Sequence, residues 1–192
     1  GRGLREDVVP ELFEFSGGLT DAARRRAANG LTVVEATPMQ IARATAALAS
    51  GVLPRMRIVS RIGGEDVARE GRRLSITSSA LEFVREAMLT CANEAGGSAQ
   101  HALNERELGY RMGAKTGSAD LSTRKVEMAD GSRRVLKNTW LIGFFPYEQP
   151  RFVLVVECVH TYATSGSGAI WLARQFLTQP EVRAVVAAGA AR

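Results

Sequence analysis

The chain has 192 residues, 45% hydrophobic and 23% charged, with a net charge of +5 at neutral pH; that suffices for one domain with a real core in ordinary globular proportions. No apolar run nears the roughly 18 residues of a membrane-spanning helix. The positive charge sits in Arg24-Arg25-Arg26, Arg72-Arg73 and Arg133-Arg134 without interleaved aromatics, which argues for solvated faces and against a nucleic-acid partner.

The opening, Gly1-Arg2-Gly3-Leu4-Arg5-Glu6-Asp7, lacks the apolar core of a signal peptide and reads as cut from something longer. Residues 1–30 show no sustained period. Val8, Val9, Leu12 and Phe13 are candidates to dock on a core, Ser16-Gly17-Gly18 marks a turn, and 21–28 reads as one or two helical turns ended by Asn29-Gly30. This is expected to be an irregular covering segment. The first clear helix starts at Thr37-Pro38, a capping residue followed by a proline that costs no hydrogen bond at the first helical position. Ile41, Ala44, Ala47 and Leu48 follow at helical spacing, and Gly51 is placed to end the helix.

Arg55 to Ile62 alternates charged and apolar residues, the pattern of a half-exposed strand, broken by Gly63-Gly64. Residues 67–76 read as a loop with a short strand. A second helix is expected from Ser79, with Glu82 completing a capping box and Leu81, Val84, Met88 and Cys91 on one face, up to Gly96-Gly97. Ser98 to Leu103 reads as a connector.

Tyr110 to Ala119 then reads as a strand of unusual chemistry. Lys115 brings a fixed cation, Thr116 and Ser118 bring hydroxyls, and Gly117 leaves room for a ligand against the backbone, a set that suits a carboxylate lying along the strand. The polar stretch 120–138 is a candidate rim of a cleft, with Asp130-Gly131 turning a small hairpin. Residues 139–145 and 151–159 are near-continuous apolar runs, so both faces should be covered, by helices, and their short connection makes them antiparallel. Thr164 to Gly168 is a turn, and 169–177 a third helix with Ile170, Trp171, Ala173 and Phe176 apolar, ended near Pro180. The sum is an α+β fold, an antiparallel sheet flanked by helices in α/β/α layers.

Cys91 and Cys158 are too few for a disulfide framework; two buried thiols and a single helix-to-sheet bridge both remain open. His101 and His160 have no acidic or cysteine partner at metal-ligand spacing, and Glu157 in its apolar strand should face solvent or a cation. Neither a metal nor a cofactor is expected.

Lys115-Thr116-Gly117-Ser118 resembles the lysine-threonine-glycine motif shared by β-lactamases and penicillin-binding proteins. Three further blocks occur in the order of that family: Asn29 to Ala42 resembles its threonine-proline helix start, Asn138 to Pro146 the strand after the motif, and Ser165 to Ala169 the glycine-rich lead into the last helix. Over roughly residues 29 to 178 the chain is similar to the C-terminal part of a transpeptidase domain of the high-molecular-weight, monofunctional penicillin-binding proteins. The N-terminal part of the fold would then be missing, with 1–30 as covering segment, 31–180 as the transpeptidase part and 181–192 as a tail.

The resemblance implies a serine D,D-transpeptidase that cross-links peptidoglycan stem peptides and is trapped by β-lactams. Lys115 would supply positive potential, Thr116 and Ser118 would contact the substrate carboxylate across Gly117, and the Ser118 N–H would be one oxyanion donor. Such donors are worth about 3–4 kcal/mol. The family's serine-x-x-lysine and serine-x-asparagine motifs do not precede the strand. Ser122-Thr123-Arg124-Lys125 has the letters of the first but lies after the motif, in a polar stretch. The chain alone should therefore be inactive. Implied partners are the stem peptide ending in D-Ala-D-Ala, β-lactams, the N-terminal part of the same protein and elongation or division machinery. The implied location is extracytoplasmic, the parent anchored in the cytoplasmic membrane. The alternative is a non-catalytic homologue acting as a structural or interaction module.

Overall fold

The computed structural model describes residues 20–22, 25, 36–162 and 168–190. The chain divides into two compact units, Gly1–Ala36 and Thr37–Arg192, and the architecture below is that of the second. Asp21, Ala22 and Arg25 are helical. The docking residues Val8 to Phe13, the turn at 16–18, Asn29-Gly30 and the turn at 164–167 lie outside the described residues.

Helix α1 (Pro38–Ser50) begins as its sequence predicts. The Gln40 N–H donates to the Thr37 hydroxyl at 3.3 Å, and the Thr37 N–H donates to Gln40 Oε1 at 2.8 Å. Ala47 lies in the core as expected, but Ala44 is exposed and Thr45 and Ala49 are buried instead. Thr45 can be buried because its hydroxyl donates back to Ile41 O at 2.8 Å.

The strand expected over 55–62 does not form as one piece. Strand β1 (Val52–Pro54) pairs with β4 (Gly71–Arg73), and β2 (Arg61–Ile62) pairs with β3 (Glu65–Asp66). Gly63 and Gly64, with φ of 59° and 89°, make the two-residue hairpin turn rather than ending a strand. Among the described residues no sheet covers the apolar side of 55–60, where Ile58 is 85% exposed, so the alternating pattern finds no surface there to bury against.

Helix α2 (Ser78–Asn93) is capped by Thr77, whose hydroxyl accepts from the Ala80 N–H at 3.2 Å; Ser79 lies inside the helix. Its core face is Met88 and Ala92, while Val84 is exposed. Arg85 lies on the core side with Met88 and Ala92, over the rings of Phe144 and Tyr147 at 5.4 Å each, donating to the carbonyls of Ala49 and, at 3.0 Å, Tyr147. A cation can line this face because its planar head stacks on aromatic rings and finds carbonyl acceptors. A one-turn helix, α3 (Gln100–Leu103), forms within the expected connector, a second, α4 (Glu105–Leu108), follows it, and the two bury Ala102, Leu103 and Leu108.

The main sheet has the antiparallel order β5 (Gly113–Glu127), β6 (Arg133–Phe145), β7 (Phe152–Thr161). The small hairpin expected around Asp130-Gly131 is the far end of one long β5–β6 ribbon. Asp120 pairs with Lys137 and Lys125 with Val135, so the intervening β5 residues form a bulge. A second irregularity near the end of β7 holds His160 at φ 53°, its N–H donating to Asn138 Oδ1 at 3.1 Å. Glu157, opposite Trp140, accepts from Asn138 Nδ2 at 3.5 Å.

Helices cover both faces of this sheet, as the apolar runs predict. On one face Leu141, Phe145, Leu154 and Val156 pack with Ala169, Ile170, Ala173 and Leu177 of α5 (Gly168–Leu177). On the other, Phe144, Ile142 and Val153 pack with Ala49 of α1 and Met88 of α2. Trp171 and Phe176, read as part of the apolar face of α5, are 57% and 50% exposed. After Pro180 the chain forms α6 (Pro180–Ala190), with Val186 buried. Glu107 ties α4 to α5 and α6: its carboxylate meets Arg174 at 2.7 Å and its carbonyl accepts from Arg183 at 2.6 Å. The hydrogen bond and charge of Arg174 hold the Glu107 carboxyl below the usual range. Cys91 and Cys158 are free thiols, both half-buried.

Tyr110 stacks on Phe145 at 5.6 Å, and its hydroxyl is buried without a hydrogen-bond partner among the described residues. Burial pushes this phenol up to about 12 from 10.0. An unfolded tyrosine ionises first, so the stability contributed by neutral Tyr110 is complete below pH 10 and is lost as pH rises toward about 12. Tyr110 is expected to give a tyrosinate absorbance step near pH 12, which Tyr110→Phe removes. A late step that persists in that variant would assign it elsewhere.

Candidate functional site

The site is built on the edge strand β5. Among the described residues no strand pairs with its outer side. Three contacts show which way its peptide groups point. The Arg111 carbonyl accepts from the Tyr147 N–H at 2.9 Å, toward β6. The Met112 carbonyl accepts from Asn93 Nδ2 of α2 at 2.9 Å, and the Thr116 carbonyl accepts from Lys115 Nζ at 2.6 Å, both away from β6. In an antiparallel strand the N–H and C=O of one residue share a side, and alternate residues repeat it. The N–H of Ser118, two residues beyond Thr116 in an unbroken register with β6, therefore faces the open edge.

Side chains alternate the other way. Lys115 pairs with Ile142 and Gly117 with Trp140, on one face; Thr116 pairs with Leu141 and Ser118 with Thr139, on the other. Lys115 and Ser118 are exposed, whereas Thr116 is 9% exposed and its Oγ1 lies 2.8 Å from Ser98 Oγ. The structure thus gathers Lys115, Thr116, Gly117 and Ser118 at one edge, with the Thr116 hydroxyl engaged from within. At Gly117 a Cβ would stand 3.3 Å from Trp140 Cβ, so glycine keeps this stretch thin where it crosses the tryptophan.

Beyond the motif the rim is charged: Asp120 and Lys137 form an ion pair at 3.1 Å across the ribbon. Ser122 to Lys125 belongs to β5, so its backbone is extended and does not open a helix, the setting that would align a serine with a lysine one turn later.

Ser98, which in the sequence is one residue of a connector, is the further residue the structure brings to the motif. Its only signal is the Gly96-Gly97 pair before it, which marks a tight turn without revealing what the turn meets. Among the described residues no group of three His, Cys, Asp or Glu side chains could hold a metal, and no helix is long and apolar enough to cross a membrane.

Residues 8–177 match the family model described as the penicillin binding protein transpeptidase domain. No curated protein sequence matches. Among solved structures the fold is similar to penicillin-binding protein A from M. tuberculosis in an imipenem acyl-enzyme complex, with a TM-score of 0.62 at 20% identity over 86% of this chain and 34% of that one. It is similar also to the penicillin-binding protein PBP2 of Helicobacter pylori in complex with MreC, with a TM-score of 0.62 at 21% identity over 88% and 29%. A third is penicillin-binding protein 2B from Streptococcus pneumoniae, with a TM-score of 0.54 at 24% identity over 73% and 24%. The chain spans about a third or less of the length of these proteins.

Proposed function

Because the chain belongs to the family of penicillin-binding protein transpeptidase domains, we propose that it supplies the lysine-threonine-glycine wall of a serine D,D-transpeptidase site that cross-links peptidoglycan stem peptides. The observation that carries this reading is the open edge of β5, where the exposed Lys115 and Ser118 flank Gly117. A serine from the N-terminal part of the same protein attacks the carbonyl of a terminal D-Ala-D-Ala, and the tetrahedral oxyanion accepts a hydrogen bond from the Ser118 N–H. Collapse expels D-alanine and leaves an acyl ester. The serine's proton leaves on the D-alanine amine. An amine of a second stem peptide then attacks the ester, forms the new amide and gives its proton to the departing serine oxygen. Lys115 and the Ser118 hydroxyl bind the substrate's terminal carboxylate, a charge-assisted contact. Thr116, its hydroxyl held by Ser98, anchors the strand beneath them.

β-Lactams enter as mimics of the donor, in keeping with the acyl-enzyme of the mycobacterial relative. The site faces the extracytoplasmic side in a membrane-anchored parent, with elongation or division machinery as partner; the complex of the Helicobacter relative with MreC supports the kind of partner. Residues 31–180 serve as the transpeptidase part, and α6 adds Val186 to its core.

A fluorescent penicillin tests the reading. The 192-residue chain is expected to stay unlabelled, and the protein that adds an upstream serine-x-x-lysine segment is expected to be labelled covalently. Labelling of the chain alone would place a nucleophile within it and overturn the division of labour. A complete parent that is never labelled would instead leave the non-catalytic homologue, a structural or interaction module, as the function.

A further inference from the structure

We propose that Ser98 is a positioning residue, a latch that holds the Lys115–Ser118 edge in register from behind; its effect on acylation rests on the function proposed above. Edge strands have no partner on one side and open more readily than central ones. Over the motif, β5 has β6 on one side and, among the described residues, no strand on the other. Asn93 holds its open side at Met112 O, four residues before Thr116. At the motif itself the side-chain contact to another element is Thr116 Oγ1 with Ser98 Oγ, 2.8 Å apart.

The turn that carries Ser98 is itself fixed. Ala99 N–H donates to Cys91 O at 3.0 Å, Gly97 N–H to Glu94 O at 2.9 Å, and Gln100 N–H to Gly97 O at 3.1 Å. Gly97 lies so close to the end of α2 that a Cβ there would fall on the carbonyl oxygens of Thr90 and Cys91. Cys91 Sγ lies 3.3 Å from Ser98 Oγ, giving the serine a second partner on α2. The hydroxyl is thus presented by a rigid turn to a buried threonine whose neighbour, two residues on, offers the oxyanion N–H. An oxyanion donor must be held to within roughly 0.5 Å to be useful, and Ser98 secures that without touching substrate.

The test has two readouts. In the 192-residue chain, Ser98→Ala is expected to raise deuterium exchange at the Lys115 and Gly117 amides, which face β6, roughly 5- to 10-fold, the range set by losing one hydrogen bond, and Ser98→Thr to leave exchange as it was. In the protein carrying the nucleophile, Ser98→Ala is expected to lower the rate constant of β-lactam acylation by a similar factor, with prior binding little changed. Ser98→Thr should restore it, and Thr116→Val should add no further loss to Ser98→Ala. Unchanged exchange in Ser98→Ala, or a loss of acylation that threonine does not rescue, overturns the latch. If the wild-type protein is never acylated, the proposed function fails while the exchange result still decides the latch.

Discussion

Ser118→Pro, in the protein that carries the nucleophile, is expected to slow β-lactam acylation about a hundred- to a thousand-fold, the effect of losing one oxyanion donor. Proline has no N–H, and on the open edge of β5 it breaks no ladder bond to β6, because the Ser118 peptide faces away from that strand. The fold should therefore survive while the donor disappears. Ser118→Ala keeps the N–H and removes only the hydroxyl, so its loss should be confined to the carboxylate contact and be smaller. The pair separates the two roles given to Ser118. Stopped-flow acylation alongside thermal unfolding measures both. If Ser118→Pro acylates at the wild-type rate while folded, the Ser118 N–H is not an oxyanion donor.

Phe144→Ala is expected to cost about 4 kcal/mol of folding stability. Phe144 is fully buried on the face of the sheet that α1 and α2 cover. Its ring stacks on Tyr147 at 5.8 Å and lies under Arg85 at 5.4 Å, and Gly113 stands so close that a Cβ there would lie 2.6 Å from the ring. Truncation opens a cavity at the junction of α1, α2, β5 and β6 and removes the aromatic surface that lets Arg85 lie in a core-facing position. Typical domains are stable by only 5–15 kcal/mol, so this one residue accounts for a large share. Phe83→Ala, by contrast, removes a ring that is 73% exposed on the outer side of α2 and should stay within about 0.5 kcal/mol. Urea denaturation of both variants checks the prediction, and equal losses would refute the assignment of the core face of α2.

The motif was legible because its chemistry is local. Lys115, Thr116, Gly117 and Ser118 adjoin in the chain, and period-two alternation already implies that the lysine and the hydroxyls take opposite faces. Which of them meets solvent is a different matter. Thr116 and Ser118 look equivalent in sequence, yet one is buried and the other exposed, because the turn after α2 brings Ser98 against Thr116. The direction of the Ser118 N–H likewise depends on pairing with β6, some 20 residues away along the chain.

Capping and turn chemistry determined the start of α1, the turn at Asp130-Gly131, and the α/β/α layering, since each follows from a few adjacent residues or from runs too apolar to be wet. The tertiary structure alone decided that 55–60 is not a strand, that Arg85 rather than Val84 joins the core face of α2, and that Ser98 reaches the motif. Those outcomes depend on what another element brings alongside: a missing sheet face, two aromatic rings, a buried threonine. Periodicity reports only that a residue could be covered, whereas burial free energy is realised where a partner surface is in place.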